Sequence, residues 1–153
     1  MVSFEHVEAM KVLCRELLAS GIATVDEIEG CSASEIGEVV SAAAQFPLPD
    51  EYLAFLRVLG KKAGALFRGT DLFFPTLLEA KEAALDIAEG PDESLKLEDR
   101  FFFGHHQGYK VYFFELGSPA VFAYQEGHPE VELLADSFLK FLQHALEVRK
   151  SLI

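Results

Sequence analysis

The chain has 153 residues, of which 50% are hydrophobic and 25% are charged, and its formal net charge is −12 at pH 7. A chain of this length can bury a core of its own, so we expect one domain over residues 1–153, and no apolar run approaches the roughly 20 residues that cross a bilayer. The acidic balance argues against nucleic acid as a partner, because binding to phosphates rests on Lys and Arg, and it favours a basic protein. We expect no membrane partner.

The start of the chain and its cysteines indicate the compartment. The first residues, Met-Val-Ser-Phe-Glu-His-Val-Glu, lack the basic and apolar regions of a secretory signal, so we expect a cytoplasmic protein. Only Cys14 and Cys31 are present, and their positions suggest neither a zinc knuckle nor a redox pair. We therefore expect two reduced thiols, with no metal and no cofactor.

Helical patterns occupy most of the first 60 residues. Apolar residues recur at helical spacing in three segments, about 4–20, 34–45 and 49–59. Thr24 and Glu27 match a capping box at the start of a short segment between the first two helices. Pro47 and Pro49 separate the second helix from the third, because proline ends a helix interior but suits a first turn.

Two short strands and a fourth helix are expected next. The segments Leu66–Arg68 and Leu72–Phe74 are rich in large apolar residues and predict the strands. Thr76 and Glu79 form a second capping box, which predicts a helix to about residue 89. Gly90–Glu93 is the clearest loop signal in the chain.

The aromatic segment 101–114 predicts a β-hairpin with a polar tip. We favour a three-residue loop of His106, Gln107 and Gly108, because Gly108 then supplies the left-handed conformation of a bulge after a type I turn. Strand alternation then gives one clean apolar face. This register pairs His105 with Tyr109, Phe103 with Val111 and Phe101 with Phe113.

The alternative is a two-residue loop of Gln107 and Gly108, which places Lys110 opposite His105 and requires a positive φ at Gln107. A slip of one residue exchanges the buried set for the exposed one, so the choice decides both faces. In the favoured register the second face is a mixed surface suited to a covering helix or a partner, and it carries Arg100, Phe102, Gly104, Lys110, Tyr112 and Phe114.

Two further strands and a last helix complete the expected layout. The strands are Ala120–Tyr124 and Val131–Leu134, with a turn at Gly127–Pro129 between them. Asp136 or Ser137 caps the final helix. The order of the predicted elements is helices first, then sequential strands and then a last helix. This order predicts an α+β domain whose antiparallel sheet packs against the helices.

Several segments, taken in order, resemble one known family. They read Phe-Pro-Leu-Pro-Asp-Glu-Tyr at 46–52, Phe-Gly-His-His-Gln-Gly-Tyr at 103–109, Pro-Ala-Val-Phe-Ala-Tyr at 119–124 and Ala-Asp-Ser-Phe-Leu-Lys-Phe-Leu at 135–142. This pattern resembles the SUKH superfamily, which includes fungal cell-wall synthesis regulators and many bacterial immunity proteins, and in particular its bacterial branch with a central His-Gln-Gly-Tyr motif. The loops at 60–64 and 118–119 depart from the family pattern.

The resemblance implies an α+β fold that binds proteins, without known catalytic residues, and in bacteria often a role in neutralising toxins, commonly nucleases. Its structural motif residues here are Pro47, Pro49, Tyr52, His105 and Gly108. We interpret His105 as a histidine at the edge of the core that donates to a backbone carbonyl and locks the turn.

Exposed polar groups at the hairpin and nearby acids are the candidates for partner contact. The candidates are His106, Gln107, Tyr109, Glu115 and Glu126. Tyr109 also fits a buried ring with its hydroxyl in water. Further acids are expected to gather with Glu115 and Glu126 around one end of the sheet, as a partner patch or as a plain solvated surface, namely Asp92, Glu93, Glu98, Asp99, Glu130 and Glu132.

The alternative to a protein-binding surface is a metal or acid-base site built from histidines. His105, His106, His128 and Asp136 are the available ligands, but adjacent histidines on a strand point to opposite faces, so His105 and His106 do not readily share an ion. Lys61 and Lys62 form a small basic spot that fits a solvated loop. We expect neither a metal site nor a catalytic site.

We therefore predict a non-enzymatic protein-binding module, an immunity or immunity-like protein that neutralises a toxin by binding its basic domain, with nucleases as one class of such toxins. The alternative is a housekeeping scaffold or regulator of the same fold without a toxin partner. A third, weaker hypothesis is a small-ligand or metal-dependent enzyme that uses the histidine turn. The sequence leaves the oligomeric state open.

Overall fold

The computed structural model describes residues 3–91, 94–128 and 130–152. Within these residues the helices are α1 Phe4–Ala19, α2 Ala33–Ala42, α3 Asp50–Leu59, α4 Ala80–Ala88 and α5 Phe138–Lys150. A small antiparallel sheet pairs β1 Ile28–Glu29 with β2 Lys62–Ala63. The main sheet is antiparallel in the order β3-β4-β5-β6, with β3 Arg100–His106, β4 Lys110–Glu115, β5 Val121–Gln125 and β6 Glu132–Ala135. The predicted α+β fold class is confirmed.

The helix predictions agree closely with the structure because their end signals are local. Ser32 and Glu35 form a capping box at α2, where the Glu35 amide donates to the Ser32 hydroxyl over 3.1 Å. Ser137 rather than Asp136 caps α5. The second helix ends three residues earlier than predicted, at Ala42, and the nearby Ala44 has a φ of 55° that no helix continues through.

The two short strands predicted at 66–68 and 72–74 are wrong. The first segment is a turn, in which Phe67 has a φ of 60° and the Arg68 amide donates to the Ala65 carbonyl. Instead of a strand, the second segment has only an isolated bridge beside it, between Asp71 and His105. Both segments pack on the core as loops, so their apolar residues signal burial and not strand pairing.

The fourth helix is confirmed from Ala80 to Ala88, but its predicted start is wrong. A 3-10 helix, Thr76–Glu79, precedes it and has Pro75 at its N-cap. The Thr76 hydroxyl donates back to the Phe73 carbonyl over 3.0 Å and so does not cap a helix. In the loop predicted at 90–93, Asp92 and Glu93 lie outside the described residues.

The hairpin is present, but the favoured register is wrong. His106 pairs with Lys110 and His105 pairs with Val111, so the loop consists of residues 107–109. Gln107 and Gly108 have φ values of 51° and 79°, and the Tyr109 amide closes the loop on the His106 carbonyl over 3.2 Å. The favoured register places the left-handed Gly108 at the third loop position. In the structure the left-handed residues Gln107 and Gly108 take the first and second positions of the loop.

A bulge at Phe103 changes the register again along the same hairpin. Gly104 pairs with Tyr112, whereas Phe102 pairs with Phe113, so β3 carries one extra residue between these pairs. Beyond the bulge the pairing is that of the alternative two-residue loop. Val111 and Phe113 consequently lie on the opposite face from the one predicted for them.

Both faces of the hairpin are buried. One face packs on α3 and α5 through Phe101, Phe103 and Phe114, in a cluster that includes Tyr52, Phe55 and Phe138. The other face packs under α4, whose small inner residues Ala80 and Ala84 allow a close approach. The second face does have a covering helix, but its membership is not the predicted one. Its buried residues are Phe102, Val111, Phe113 and, on β5, Tyr124, whereas Tyr112 and Phe114, predicted for this face, pack on the first core.

Helix α1 and the start of α5 complete the first core. Val7, Met10, Leu13 and Leu17 form the buried stripe of α1 and join the same cluster as α3. The Leu139 amide in the first turn of α5 donates to the Glu51 carboxylate of α3 over 2.9 Å. No helix among the described residues has the length and apolar content needed to cross a membrane.

Lys61 forms ion pairs with two glutamates, so it is not the solvated base that the sequence suggested. Its Nζ lies 2.9 Å from Glu35 Oε2 and 3.7 Å from Glu29 Oε2, which joins α2 to the small sheet. The hydrogen bond from the Ser32 backbone amide, with the Lys61 side chain, holds the pKa of Glu35 below its ordinary value. A carboxyl with a lowered folded pKa stabilises the fold above its unfolded pKa and loses that contribution as pH falls through the folded pKa.

We therefore expect Glu35→Gln to lower the melting temperature at about pH 7 and to cost less at about pH 3, because acid progressively protonates the carboxyl of the parent too. Circular dichroism melts at both pH values measure the difference. Glu38→Gln, an exposed position on the same helix, is the matched control. An unchanged difference at the two pH values contradicts the ionic role of Glu35.

Candidate protein-binding site

The hairpin tip holds His106 and Tyr109 in a defined arrangement. The Thr70 hydroxyl and His106 Nδ1 are 3.0 Å apart, so the loop between β2 and the 3-10 helix supports the imidazole. The rings of Tyr109 and His106 meet edge to face, with centroids 5.5 Å apart. These contacts make the tip a rigid support for its exposed groups.

Tyr109 is exposed, not buried. Its side chain is 38% accessible, and its carbonyl accepts from the Glu126 amide over 2.8 Å, which brings the turn after β5 against the tip. Gln107 is exposed at the apex. We call the group Thr70, His106, Gln107, Tyr109 and Glu126 the tip surface.

Glu115 does not belong to the tip surface. It ends β4, five residues after Lys110, and a strand rise of about 3.4 Å per residue places it about 17 Å away along the sheet. Its carboxylate accepts from Arg100 Nη2 over 2.9 Å and from Nε over 3.2 Å, while the guanidinium lies 4.5 Å above the Phe113 ring. Glu115 therefore holds a nearly buried arginine in place.

The imidazole of His105 does not lock the turn as predicted. Among the described residues neither ring nitrogen has a hydrogen-bond partner, and Asp71 Oδ2 lies 3.7 Å from Nε2. The contact is instead made by the backbone, since His105 and Asp71 exchange amide-to-carbonyl bonds of 3.0 and 2.8 Å. Any residue can make such bonds, so the histidine side chain is not what joins the hairpin to the preceding loop.

Three of the four other predicted motif residues have a role in the fold. Pro49 is the N-cap of α3, and Tyr52 is fully buried in the first core. Gly108 supplies a positive φ in the loop, whereas Pro47 is exposed.

The histidines are not gathered into a site. In the described part of the chain no group of three or more His, Cys, Asp or Glu side chains could hold a metal ion. Cys14 and Cys31 are free, and burial raises the pKa of both thiols, that of Cys31 to about 11. Such thiols are protonated and poorly nucleophilic near neutral pH.

The acids expected to surround one sheet end divide between the two ends. Glu126, Glu130 and Glu132 follow or begin strands at the tip end, whereas Asp99 and Glu115 lie at the opposite end. At the tip end a cleft of about 530 Å³ lies beside β6, lined by Gln125, His128, Glu130 and Glu132 among others. The nearest base, Lys110, has its Nζ 3.8 Å from the Glu132 carboxylate.

No local pattern signals Thr70 and Asp71, which reach the hairpin through long-range contacts. Val131 and Leu133 lie in the strand predicted at 131–134 but not among the predicted contact residues, and they are 38% and 57% exposed. For these two a signal existed, because their alternation with Glu130 and Glu132 is typical of a half-exposed strand.

The comparison with protein families agrees with the geometry. The family model SUKH_6, described as SMI1-KNR4 cell-wall, matches residues 39–142, a segment that runs from the end of α2 into α5 and contains the whole main sheet. No curated protein matches the chain. Because the match covers well over half of the residues, from the N-cap proline of α3 through the hairpin and its tip, the chain belongs to the SMI1-KNR4 cell-wall family of the SUKH superfamily.

Proposed function

We propose that this protein is a non-enzymatic binding module, an immunity or immunity-like protein that neutralises a toxin by covering a basic surface of it. The observation that carries the proposal is the tip surface, where an exposed Tyr109 is held by His106 and stands beside Glu126. Tyrosine is among the residues most enriched at the energetic centres of interfaces. Membership of a protein-binding family supports the same conclusion.

The rigidity of the tip favours binding. Ordering a flexible side chain on association costs about 0.5–1.5 kcal/mol, and a ring already held by a neighbour avoids part of that cost. The loop backbone is also held, by the bonds of Tyr109 to His106 and of Glu126 to Tyr109. The tip therefore resembles a preorganised contact rather than a mobile loop.

The charge of the chain favours a basic partner such as a nuclease. Nucleases bind phosphates through Lys and Arg, and an acidic protein can occupy that surface and speed the encounter through long-range attraction. The formal charge of −12 supplies this attraction. Blocking the surface needs no chemistry from the tip, which is consistent with a non-enzymatic role.

A scaffold or regulatory role is the second candidate, since the family description names cell-wall proteins. The same tip surface would then contact a different protein. Genes adjacent to this one discriminate between the two candidates, because a toxin gene beside it favours immunity.

The test is co-expression with the protein encoded beside this one, with cell survival and the dissociation constant as readouts. We expect protection, and we expect Tyr109→Ala and Glu126→Lys each to weaken binding about tenfold or more, because they remove an anchor and reverse a charge. Binding should also weaken with added salt.

Glu38→Lys on α2 is the matched charge control, since it makes the same change at an exposed position of another element. Retained affinity in both tip variants contradicts the assignment of the tip surface. Absence of both binding and protection contradicts the immunity role.

A further inference from the structure

The two edges of the main sheet differ in how they are closed. At β3 the outer backbone is bridged by Asp71, which exchanges two hydrogen bonds with His105. At β6 the strand pairs with β5 on one side, and no other strand of the described segments lies along its outer side. An open edge of this kind is a template for an incoming strand.

On one face of the main sheet, a row of apolar side chains runs across all four strands and ends at the open edge, β6. Phe102, Phe113, Phe122 and Leu133 are paired in turn across the four strands, so they lie on one face. Helix α4 packs mainly on β3 and β4, and the exposed fraction rises from 0% at Phe113 to 57% at Leu133. Val131, just before β6, is 38% exposed and lines the cleft of about 530 Å³ beside that strand.

The opposite face of the edge is acidic. Glu132 points away from Leu133 and lines the cleft of about 530 Å³ with Glu130 and Gln125. Lys110 balances only one of these carboxylates, at 3.8 Å from Glu132. A strand laid along β6 would therefore meet apolar side chains on one face and carboxylates on the other.

We propose that β6 receives an extended segment of a basic protein partner, in which apolar residues alternate with Lys or Arg. Alternate side chains of an added strand point to opposite faces, so the apolar ones cover Leu133 while the basic ones enter the cleft at Glu130 and Glu132. The backbone of the segment continues the ladder of the sheet. This inference rests on the proposed function and names the segment of the partner that this chain recognises.

Charge selects a cationic partner over a second copy of this chain. Two copies would each carry −12, and their approach edge to edge would bring further carboxylates to an edge that already has Glu130 and Glu132. Like charges brought together at an interface disfavour association. The same carboxylates attract a basic strand.

The probe is a peptide of about eight residues that alternates Lys with Val, the length of an ordinary strand. A block peptide of the same composition, with all Lys before all Val, is its control, and fluorescence anisotropy measures both dissociation constants. We expect the alternating peptide to bind more tightly, and Leu133→Arg and Glu132→Lys each to weaken it by about tenfold or more. Methylation of alternate peptide amides on the paired side should also abolish binding.

Val40→Arg and Glu38→Lys, both at exposed positions of α2, are the matched controls and should leave the affinity unchanged. Equal binding of the two peptides, or affinity that survives both edge variants, overturns the proposal. A dimer of the free chain that Leu133→Arg dissociates in sedimentation overturns it too, because the occupant is then a second copy. If a toxin binds the parent and both edge variants equally, the edge proposal fails while the proposed function stands.

Discussion

Tyr52→Ala should lower the free energy of unfolding by about 3–5 kcal/mol, the cost of removing a large buried aromatic ring. Tyr52 is 0% exposed and lies at the centre of the first core. Its ring centroid is 5.2 Å from that of Phe138 and 5.3 Å from that of Phe114, both edge to face. Since α3, α5 and the hairpin all contact this ring, its loss leaves a cavity where three elements meet. Urea unfolding measures the difference.

Tyr52→Phe is the control that separates the ring from its hydroxyl. The buried hydroxyl has no hydrogen-bond partner within the described segments, and burial raises its pKa well above the ordinary value, so it stays neutral. Removing an unpaired buried polar group is neutral or stabilising. A loss of stability in Tyr52→Phe would mean that the hydroxyl has a partner and that this account of the core is wrong.

Gly104→Ala is expected to destabilise the protein by about 1–3 kcal/mol through overpacking. A Cβ at Gly104 would lie 2.8 Å from Leu72 Cβ and 3.2 Å from the Asp71 carbonyl oxygen. Both atoms are on or next to the backbone, so the loop must move as a whole. Hydrogen exchange at the Asp71 and His105 amides should rise in the variant, because the bonds between these residues depend on that close approach.

Gly37→Ala on α2 is the matched control for this substitution. A Cβ there meets nothing within 4 Å, and alanine favours a helix over glycine by about 0.8–1.0 kcal/mol. The two variants should therefore change stability in opposite directions. A Gly104→Ala protein as stable as the parent would contradict the close packing of the loop on β3.

The helices were predictable because each depends on neighbouring residues. The stripe of α1 and the capping box of Ser32 and Glu35 are local in sequence. The hairpin register is different, because it follows from the bulge at Phe103 and from the close contact of Gly104 with Leu72, more than 30 residues earlier. Periodicity predicts that aromatic residues are buried but does not identify the face when both faces are covered.

The candidate site was predictable in part for the same reason. His106 and Gln107 stand at a polar turn between apolar strands, so their placement at the tip follows from local patterns. The support of His106 by Thr70 depends on how distant segments pack. The separation of Glu115 from Tyr109, in contrast, follows from the length of β4. The open edge at β6 depends on strand order, which no local pattern contains.

The bond between Glu51 and the Leu139 amide has a consequence for dividing the chain. The groups are 88 residues apart, and the first turn of α5 has no acid of its own to complement the positive end of its helix dipole. Helix α3 supplies that negative charge across the fold. A fragment that ends before residue 139 leaves the half-buried carboxylate of Glu51 without its donor. Helix α5 alone lacks its counter-charge. Neither part is therefore complete without the other.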